Sequence, residues 1–88
     1  MKKHTRRYLV KIFEIGKKIR LLRKEKGLTQ ESLANLANIS RVTLGKLERG
    51  QMGAVSVVTL DIILDALGYE LEFRSKEGFG IPVFGEGD

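Results

Sequence analysis

Two residue types that carry much of protein chemistry are nearly missing from this chain of 88 residues. There is no cysteine, which excludes disulfides and thiolate metal sites and fits a reducing compartment. His4 is the single histidine, and one histidine without carboxylate or cysteine neighbours is not a metal site. The sequence also lacks a recognisable nucleophile–base pair, so we expect no enzymatic activity, no metal and no cofactor.

Long apolar runs are absent too. No segment approaches the roughly 18 apolar residues needed to span a bilayer, and no signal-peptide core follows the basic N-terminus. We therefore expect a cytoplasmic protein. The 42% apolar fraction suffices for the core of one small domain. A basic amphipathic N-terminal helix lying on a membrane surface is an alternative, which liposome binding would support.

The charge is distributed unevenly along the chain. Residues 1–26 contain eleven Lys or Arg and two acidic residues, a net charge of +9, whereas the remainder has a net charge of −4. Such asymmetry indicates that the N-terminal part faces a polyanion. The alternative is a solvated helix face with a basic tail.

Residues 29–50, TQESLANLANISRVTLGKLERG, have the pattern of two short helices joined by a tight turn. Thr29 and Ser40 are favoured N-cap residues, Asn38 tolerates the left-handed backbone that ends a helix, and Gly50 ends the second helix. The apolar residues of the two helices and the turn are Leu33, Ala34, Leu36, Ala37, Ile39, Leu44 and Leu47. This pattern predicts a helix-turn-helix, whose second helix is shaped to enter a DNA major groove.

The letters GLTQESLANLANIS…LERG resemble the helix-turn-helix of the Xre family, the phage-repressor-like regulators, within a likeness over about residues 15–68. Asn38 stands where the family usually has Gly and can adopt the same backbone. Gly45 is less common inside the second helix and costs about 1 kcal/mol relative to Ala. It either admits a close approach to DNA or has no role. A structural helical hairpin without DNA is the alternative to the family's function.

Two further helices are predicted around this motif. Residues 6–26 predict one helix, bent near Gly16 and ending at Gly27, although RYLVKIF could instead form a strand. Its apolar residues are Leu9, Ile12, Phe13, Ile15, Ile19 and Leu22. Ser56 is expected to cap a helix from Val57 to Leu67. The residues expected to be buried there are Val58, Leu60, Ile62, Ile63, Leu64 and Leu67, and this breadth suggests that part of the helix faces a second copy.

Residues 69–74, YELEFR, alternate strictly, with Tyr69, Leu71 and Phe73 on one side, as in a half-buried strand. A lone strand cannot satisfy its own backbone groups. The simplest partner is the same strand of a second subunit in a twofold dimer. Pairing with the N-terminal stretch or with the tail is the alternative.

The chain thus divides into a basic extension (1–8), a helix-turn-helix domain (9–68), a dimerising strand (69–74) and a flexible Gly-rich tail (75–88). The fold expected is all-α, with four to five helices plus the one C-terminal strand. The tail is expected to dock into a partner protein through Phe79, Ile81, Val83 and Phe84. Packing back on its own domain, or no contact at all, is the alternative.

A helix-turn-helix followed by one such strand resembles the architecture of HipB-type antitoxins within the Xre family. This resemblance implies a homodimer that represses its own operon, binds a palindromic double-stranded DNA operator and binds a kinase-fold toxin. A protein-interaction module that acts mainly through its tail is the competing function. Truncation after Lys76 separates the two: the first expects operator binding to survive, and the second expects partner binding to vanish.

Contacts with DNA divide into base reading and phosphate positioning. The residues expected to read base edges are Arg41, Val42, Thr43 and Lys46. Arg41 is suited to guanine O6 and N7, while the Val42 or Thr43 methyl groups suit a thymine methyl. Arg41 and Lys46 could each contact phosphate instead. The residues expected at phosphates are Gln30, Ser40, Arg49, Lys17 and Lys18, and for Gln30 the family resemblance implies the same role.

Overall fold

The computed structural model describes residues 10–75, which contain four α-helices and two short 3₁₀ turns. The helices are α1 (Ile15–Glu25), α2 (Gln30–Leu36), α3 (Arg41–Glu48) and α4 (Val57–Ala66), and the 3₁₀ turns are Ile12–Glu14 and Met52–Ala54. The predicted all-α, repressor-like helix-turn-helix fold is confirmed. None of the helices in this part of the chain has both the length and the apolar composition of a membrane span.

Three helices begin at a hydroxyl residue that accepts a hydrogen bond from a backbone N–H three residues later. Thr29 Oγ1 accepts from Ser32 N at 3.0 Å, and Ser32 Oγ accepts in return from Thr29 N at 3.0 Å. Ser40 caps α3 and Ser56 caps α4 in the same manner. Each cap satisfies a backbone donor that the helix itself leaves without a partner. The N-caps predicted at these three positions are confirmed.

All four helices end with the same hydrogen-bond pattern, in which a residue with positive φ stops the helix. The N–H that follows this residue donates back five residues, as in Ile39 N to Ala34 O at 2.9 Å. This is the Schellman arrangement, which satisfies a carbonyl at the helix end. Asn38 occupies the left-handed position after α2 with φ 60°, so it does replace the glycine of the family pattern.

The core lies between all four helices. Its buried side chains are Ile19, Leu22, Leu33, Ala34, Ala37, Leu44, Leu47, Leu60, Ile63 and Leu67. Ala34 of α2 is 1% exposed and Leu44 of α3 is 0% exposed, so both helices of the motif contribute fully buried side chains. Each fully buried Leu or Ile contributes roughly 1.5–3 kcal/mol relative to an exposed one, which makes this layer the main stabilising feature of the domain.

The prediction of a helix that starts near residue 6 is wrong for the part that the structure describes. Lys11 is extended, with φ −85° and ψ 158°, and the regular helix starts only at Ile15. The Glu14 carboxylate accepts a hydrogen bond from Lys11 N at 3.1 Å, which fixes a 3₁₀ turn over Ile12–Glu14 instead. Ile12 and Phe13 are consequently 68% exposed each and take no part in the core.

Two apolar residues predicted to be buried in α4 are exposed, and so is Leu36 on the apolar side of α2. Leu36 is 59% exposed, Val58 is 70% exposed and Ile62 is 42% exposed. In α4 the buried residues Leu60 and Ile63 occupy the side that faces the other helices. A domain with a single core layer has nothing to cover the opposite side, so Val58 and Ile62 face solvent.

Residues 69–75 form neither helix nor strand in the single chain. Tyr69 packs against the core, Leu71 is exposed, and Phe73 is 100% exposed. A strand paired across a dimer would not form in one subunit, so this pairing stays a prediction. The basic extension (1–8) and the tail residues Phe79, Ile81, Val83 and Phe84 lie outside the described residues.

Candidate nucleic-acid interface

The two helices of the predicted motif form a compact unit. α2 and α3 are joined by residues 37–40, in which Asn38 turns the chain and Ser40 caps α3. Leu44 and Leu47 hold the inner side of α3 in the core at 0% exposure each. Because α3 has only eight residues, this fixes which of its side chains face outwards.

The outer side of α3 carries four of the nine residues predicted to contact DNA. Arg41, Lys46 and Arg49 are exposed, and Val42 is 59% exposed. Val42, Lys46 and Arg49 are spaced by four and three residues, so they form one stripe along the helix, with Arg41 at its N-terminal end. The structure therefore brings together three cations and one apolar side chain on a single helical surface.

Thr43 is placed differently from the other predicted base-reading residues. It is half-buried, and its Oγ1 accepts a hydrogen bond from Ser40 Oγ at 2.9 Å. Ser40 Oγ in turn accepts from Thr43 N at 3.0 Å. Both hydroxyls are thus engaged in starting α3, and the first role of this pair is to cap the helix.

Gly45 lies on the same surface as Lys46, beneath two polar side chains. A methyl group at Gly45 would lie 3.2 Å from Arg49 Nη1 and 3.8 Å from Gln30 Nε2. The missing side chain therefore leaves room for the Arg49 guanidinium beside the Gln30 amide. This gives Gly45 a local packing role.

A buried ion pair lies directly beneath this surface. Arg23 of α1 donates from Nε to Glu48 Oε2 at 2.7 Å and from Nη2 to Glu48 Oε1 at 3.1 Å. Arg23 Nη1 also donates to the Leu28 carbonyl at 2.8 Å. Both residues of the pair are 6% exposed, and no buried side-chain N or O atom in residues 10–75 lacks a hydrogen-bond partner. Charge-assisted bidentate pairs of this kind hold two elements in one orientation.

Gln30 connects the ion pair to the surface. Its Nε2 donates to Glu48 Oε1 at 3.1 Å, and the side chain is half-buried at the first position of α2. Gln30, one of the residues predicted to contact phosphate, is therefore held in place by Glu48 of α3. Carboxylate, guanidinium and amide form one hydrogen-bonded chain that joins α1, α2 and α3.

A shallow basic depression adjoins the start of α2. Arg20, Arg23 and Lys24 of α1 and Arg41 of α3 line it, together with Thr29, Gln30 and the single acidic residue Glu31. Lys17 is exposed and Lys18 half-buried in the first half of α1, next to Gly16, whose backbone packs on α3. Cations of α1 therefore continue the positive charge of α3.

Sequence reasoning missed four residues of this region: Arg20, Arg23, Lys24 and Glu48. Arg23 follows Ile19 by four residues and Glu48 follows Leu44 by four, so both charges fall on the core-facing sides of their helices. That periodicity was a usable signal, since a charge on such a side needs a partner. Arg20 and Lys24 gave no signal, because their proximity to Arg41 arises from tertiary packing.

The polar side chains of this surface determine which ligands it suits. Among residues 10–75 no group of three His, Cys, Asp or Glu side chains is placed to hold a metal ion. The polar residues of the surface described above are cations, an amide and hydroxyls. These groups suit the phosphates and base edges of a nucleic acid.

Comparison with known proteins agrees with this geometry. The family model HTH_3, described as helix-turn-helix, matches residues 19–73, which is more than half of the chain. The chain belongs to this Xre-like helix-turn-helix family. This match confirms the predicted likeness to the Xre family, which was expected over about residues 15–68.

Two proteins with similar sequences have names that state a role. The chain is 40% identical over 57 residues to the immunity repressor protein of Bacillus phage phi105. The aligned residues cover 65% of this chain and 39% of that protein. It is 36% identical over 61 residues to the putative antitoxin HigA2 of Mycobacterium tuberculosis. The aligned residues cover 69% of this chain and 60% of that protein. The chain thus spans about two fifths of the length of the phage repressor and three fifths of the length of HigA2.

Solved structures show the same helix-turn-helix fold. The restriction-modification controller protein C.AhdI from Aeromonas hydrophila is 41% identical with a TM-score of 0.61, over 67% of this chain and 88% of that one. A chain of the HipA-HipB-O2-O3 complex is 20% identical with a TM-score of 0.68, over 81% of this chain and 99% of that one. The second likeness concerns the fold alone.

Proposed function

We propose that this chain is a sequence-specific DNA-binding repressor that works as a homodimer in the cytoplasm and has no enzymatic activity. The observation that carries the proposal is the outer side of α3, where Val42, Lys46 and Arg49 form one exposed stripe beside Arg41. This helix is short, and its inner side is anchored in the core. A helix so presented fits the major groove of B-DNA.

The proposed contacts follow from where each side chain lies. Arg41, Val42 and Lys46 are exposed on α3 and are assigned to base edges. Thr43 joins them with its methyl group and with a hydroxyl that accepts from Ser40 Oγ and can still donate its own hydrogen. The groups assigned to phosphates are Gln30, Ser40, Arg49, Lys17 and Lys18. Arg20 and Lys24 join this set because they line one depression with Arg41.

Dimer formation is proposed through residues 69–74, with Leu71 and Phe73 covered by the partner subunit. Phe73 is fully exposed in the single chain, and a large aromatic side chain is unfavourable in that state. A dimer would also place two α3 helices on half-sites about 34–36 Å apart, as a palindromic operator requires. One α3 alone contacts too few base pairs to select a single site.

Within this function we favour an antitoxin that represses its own operon. The putative antitoxin HigA2 and the immunity repressor protein among the relatives support this subtype. The proposed protein partner is a toxin, of HipA-like kinase fold, and its proposed contact is the tail with Phe79, Ile81, Val83 and Phe84. Phe79→Ser combined with Phe84→Ser would abolish binding to the toxin and leave operator binding intact.

The decisive test is a titration of DNA affinity against salt. Duplex DNA from the region upstream of the gene would be compared with a scrambled duplex of equal length and composition, by fluorescence anisotropy. We expect a preference of about 1,000-fold or more for the upstream duplex, which is the lower limit for specific binders. A steep fall in affinity with salt is also expected. Equal affinity for the two duplexes would contradict the proposal.

A further inference from the structure

Glu48 is a buried carboxylate whose hydrogen bonds extend to the protein surface. Arg23 occupies Oε2 and shares Oε1, and Gln30 Nε2 donates to that same Oε1 at 3.1 Å. Glu48 is 6% exposed, whereas Gln30 is half-buried and borders the basic depression. An internal ion pair is thereby linked to an amide at the proposed DNA surface.

The chemistry of these groups allows one orientation of the amide. An ionised carboxylate accepts hydrogen bonds and donates none, so only the Nε2 end of Gln30 is attracted to Glu48. A free glutamine side chain would present its oxygen or its nitrogen outwards by rotation about its last torsion. Phosphate oxygens also only accept, so the rotamer that turns Oε1 towards a phosphate is repulsive.

We propose that Glu48, held by Arg23, is a positioning residue for the Gln30 amide in DNA binding. One N–H of Gln30 donates to Glu48, and the second N–H donates to a phosphate oxygen. Glu48 therefore touches no DNA, yet it sets the orientation of a group that does. This inference rests on the proposed function.

A double-mutant cycle tests the coupling. Gln30→Ala is measured alone and in an R23M/E48L background, in which both buried charges are removed together so that neither is left unpaired. In the wild-type background we expect Gln30→Ala to weaken operator binding roughly tenfold, as for the loss of a hydrogen bond to a charged group. In the R23M/E48L background the same change should weaken binding less than about threefold, because the amide is no longer oriented.

Equal losses in the two backgrounds would overturn the inference, provided that circular dichroism shows R23M/E48L folded. If the wild-type protein does not distinguish the operator from the scrambled duplex, the proposed function fails instead. The two failures are therefore distinguishable.

A second measurement applies to the wild-type protein alone and decides the case where R23M/E48L does not fold. Gln51 is the only other glutamine of the chain and is exposed, so it is a matched control. Nitrogen-15 relaxation of the side-chain amides should show Gln30 ordered and Gln51 mobile on the picosecond-to-nanosecond timescale. Equal mobility of the two amides would overturn the assignment of Glu48.

Discussion

The backbone of Gly16 in α1 lies against the carbonyl group of Leu47 in α3. A methyl group on Gly16 would overlap the Leu47 oxygen, and it would lie 3.1 Å from the Leu47 carbonyl carbon and 3.2 Å from that of Glu48. These are main-chain atoms of the helix proposed to read DNA, and they cannot move without shifting that helix. This contact therefore limits how α1 and α3 can move relative to each other.

Gly16→Ala should destabilise the domain by about 2 kcal/mol or more, because overpacking against a backbone forces the two helices apart. The measurement is urea unfolding followed by circular dichroism. Gly53→Ala is the matched control, since a methyl group there would meet nothing within 4 Å and should change stability by less than about 0.5 kcal/mol. Equal stabilities of the two variants would contradict the close contact.

Gly45→Ala should stabilise the domain, whereas Gly16→Ala should destabilise it. Alanine is favoured over glycine in a helix interior by about 0.8–1 kcal/mol, and the nearest obstacle is the flexible end of Arg49, 3.2 Å away. We expect the free energy of unfolding to rise by about 0.5–1 kcal/mol. The same urea experiment measures it, and a loss of stability would show that Arg49 cannot move aside.

Arg23→Met alone should cost about 3–5 kcal/mol, because it leaves the Glu48 carboxylate buried without its counterion. The R23M/E48L double variant should cost far less, since it buries no unpaired charge. Thermal unfolding of the two variants at the same pH and salt concentration makes the comparison. A double variant as unstable as the single one would mean that the geometry of the pair, and not its charge balance, stabilises the packing of α1 on α3.

Arg41→Ala and Lys17→Ala should affect DNA binding in different ways. If Arg41 reads a base, its loss reduces discrimination at one position by about 1–3 kcal/mol. Loss of Lys17 at a phosphate weakens binding to all sequences alike and lowers the salt slope by about 1. Competition titrations with single-base operator variants distinguish these outcomes. A uniform loss from Arg41→Ala would reassign Arg41 to phosphate contact.

Phe73→Ser should shift the protein from dimer to monomer and weaken operator binding. Phe73 is fully exposed in the single chain, and burial in a partner subunit would stabilise it there. Glu72→Gln is the control, because Glu72 is expected on the opposite side of the strand. Light scattering after size-exclusion chromatography measures the mass. A Phe73→Ser protein that remains dimeric would move the proposed interface elsewhere, with the exposed Val58 and Ile62 of α4 as the next candidates.

The helix-turn-helix was predictable because its determinants are local. Thr29, Ser40 and Ser56 each bond to a residue three positions away, and Asn38 stops α2 through its own backbone angle. Such signals depend on neighbouring residues alone, and the structure has all of them. The inner residues Leu44 and Leu47 were equally clear, because their spacing of three is that of one helix side.

What the sequence did not indicate depends on contacts between distant positions. Arg23 and Glu48 are 25 residues apart, and each resembles a solvated charge when read alone. Val58 and Ile62 were expected to be buried, with part of their helix facing a second copy. Periodicity gives the amount of apolar surface and does not identify the element that covers it. The prediction that Ile12 and Phe13 lie in a helix was wrong for another reason. The Glu14 carboxylate accepts a hydrogen bond from Lys11 N and stabilises a 3₁₀ turn instead.

The contact of Gly16 with α3 and the Arg23–Glu48 pair have a kinetic consequence. A DNA-facing helix that is already locked to its neighbour needs no ordering step when it meets DNA, so encounter should be fast and nearly the same for every sequence. Related complexes of this kind differ mainly in their dissociation rates. We therefore expect the protein to distinguish its operator from other DNA by how long it stays bound.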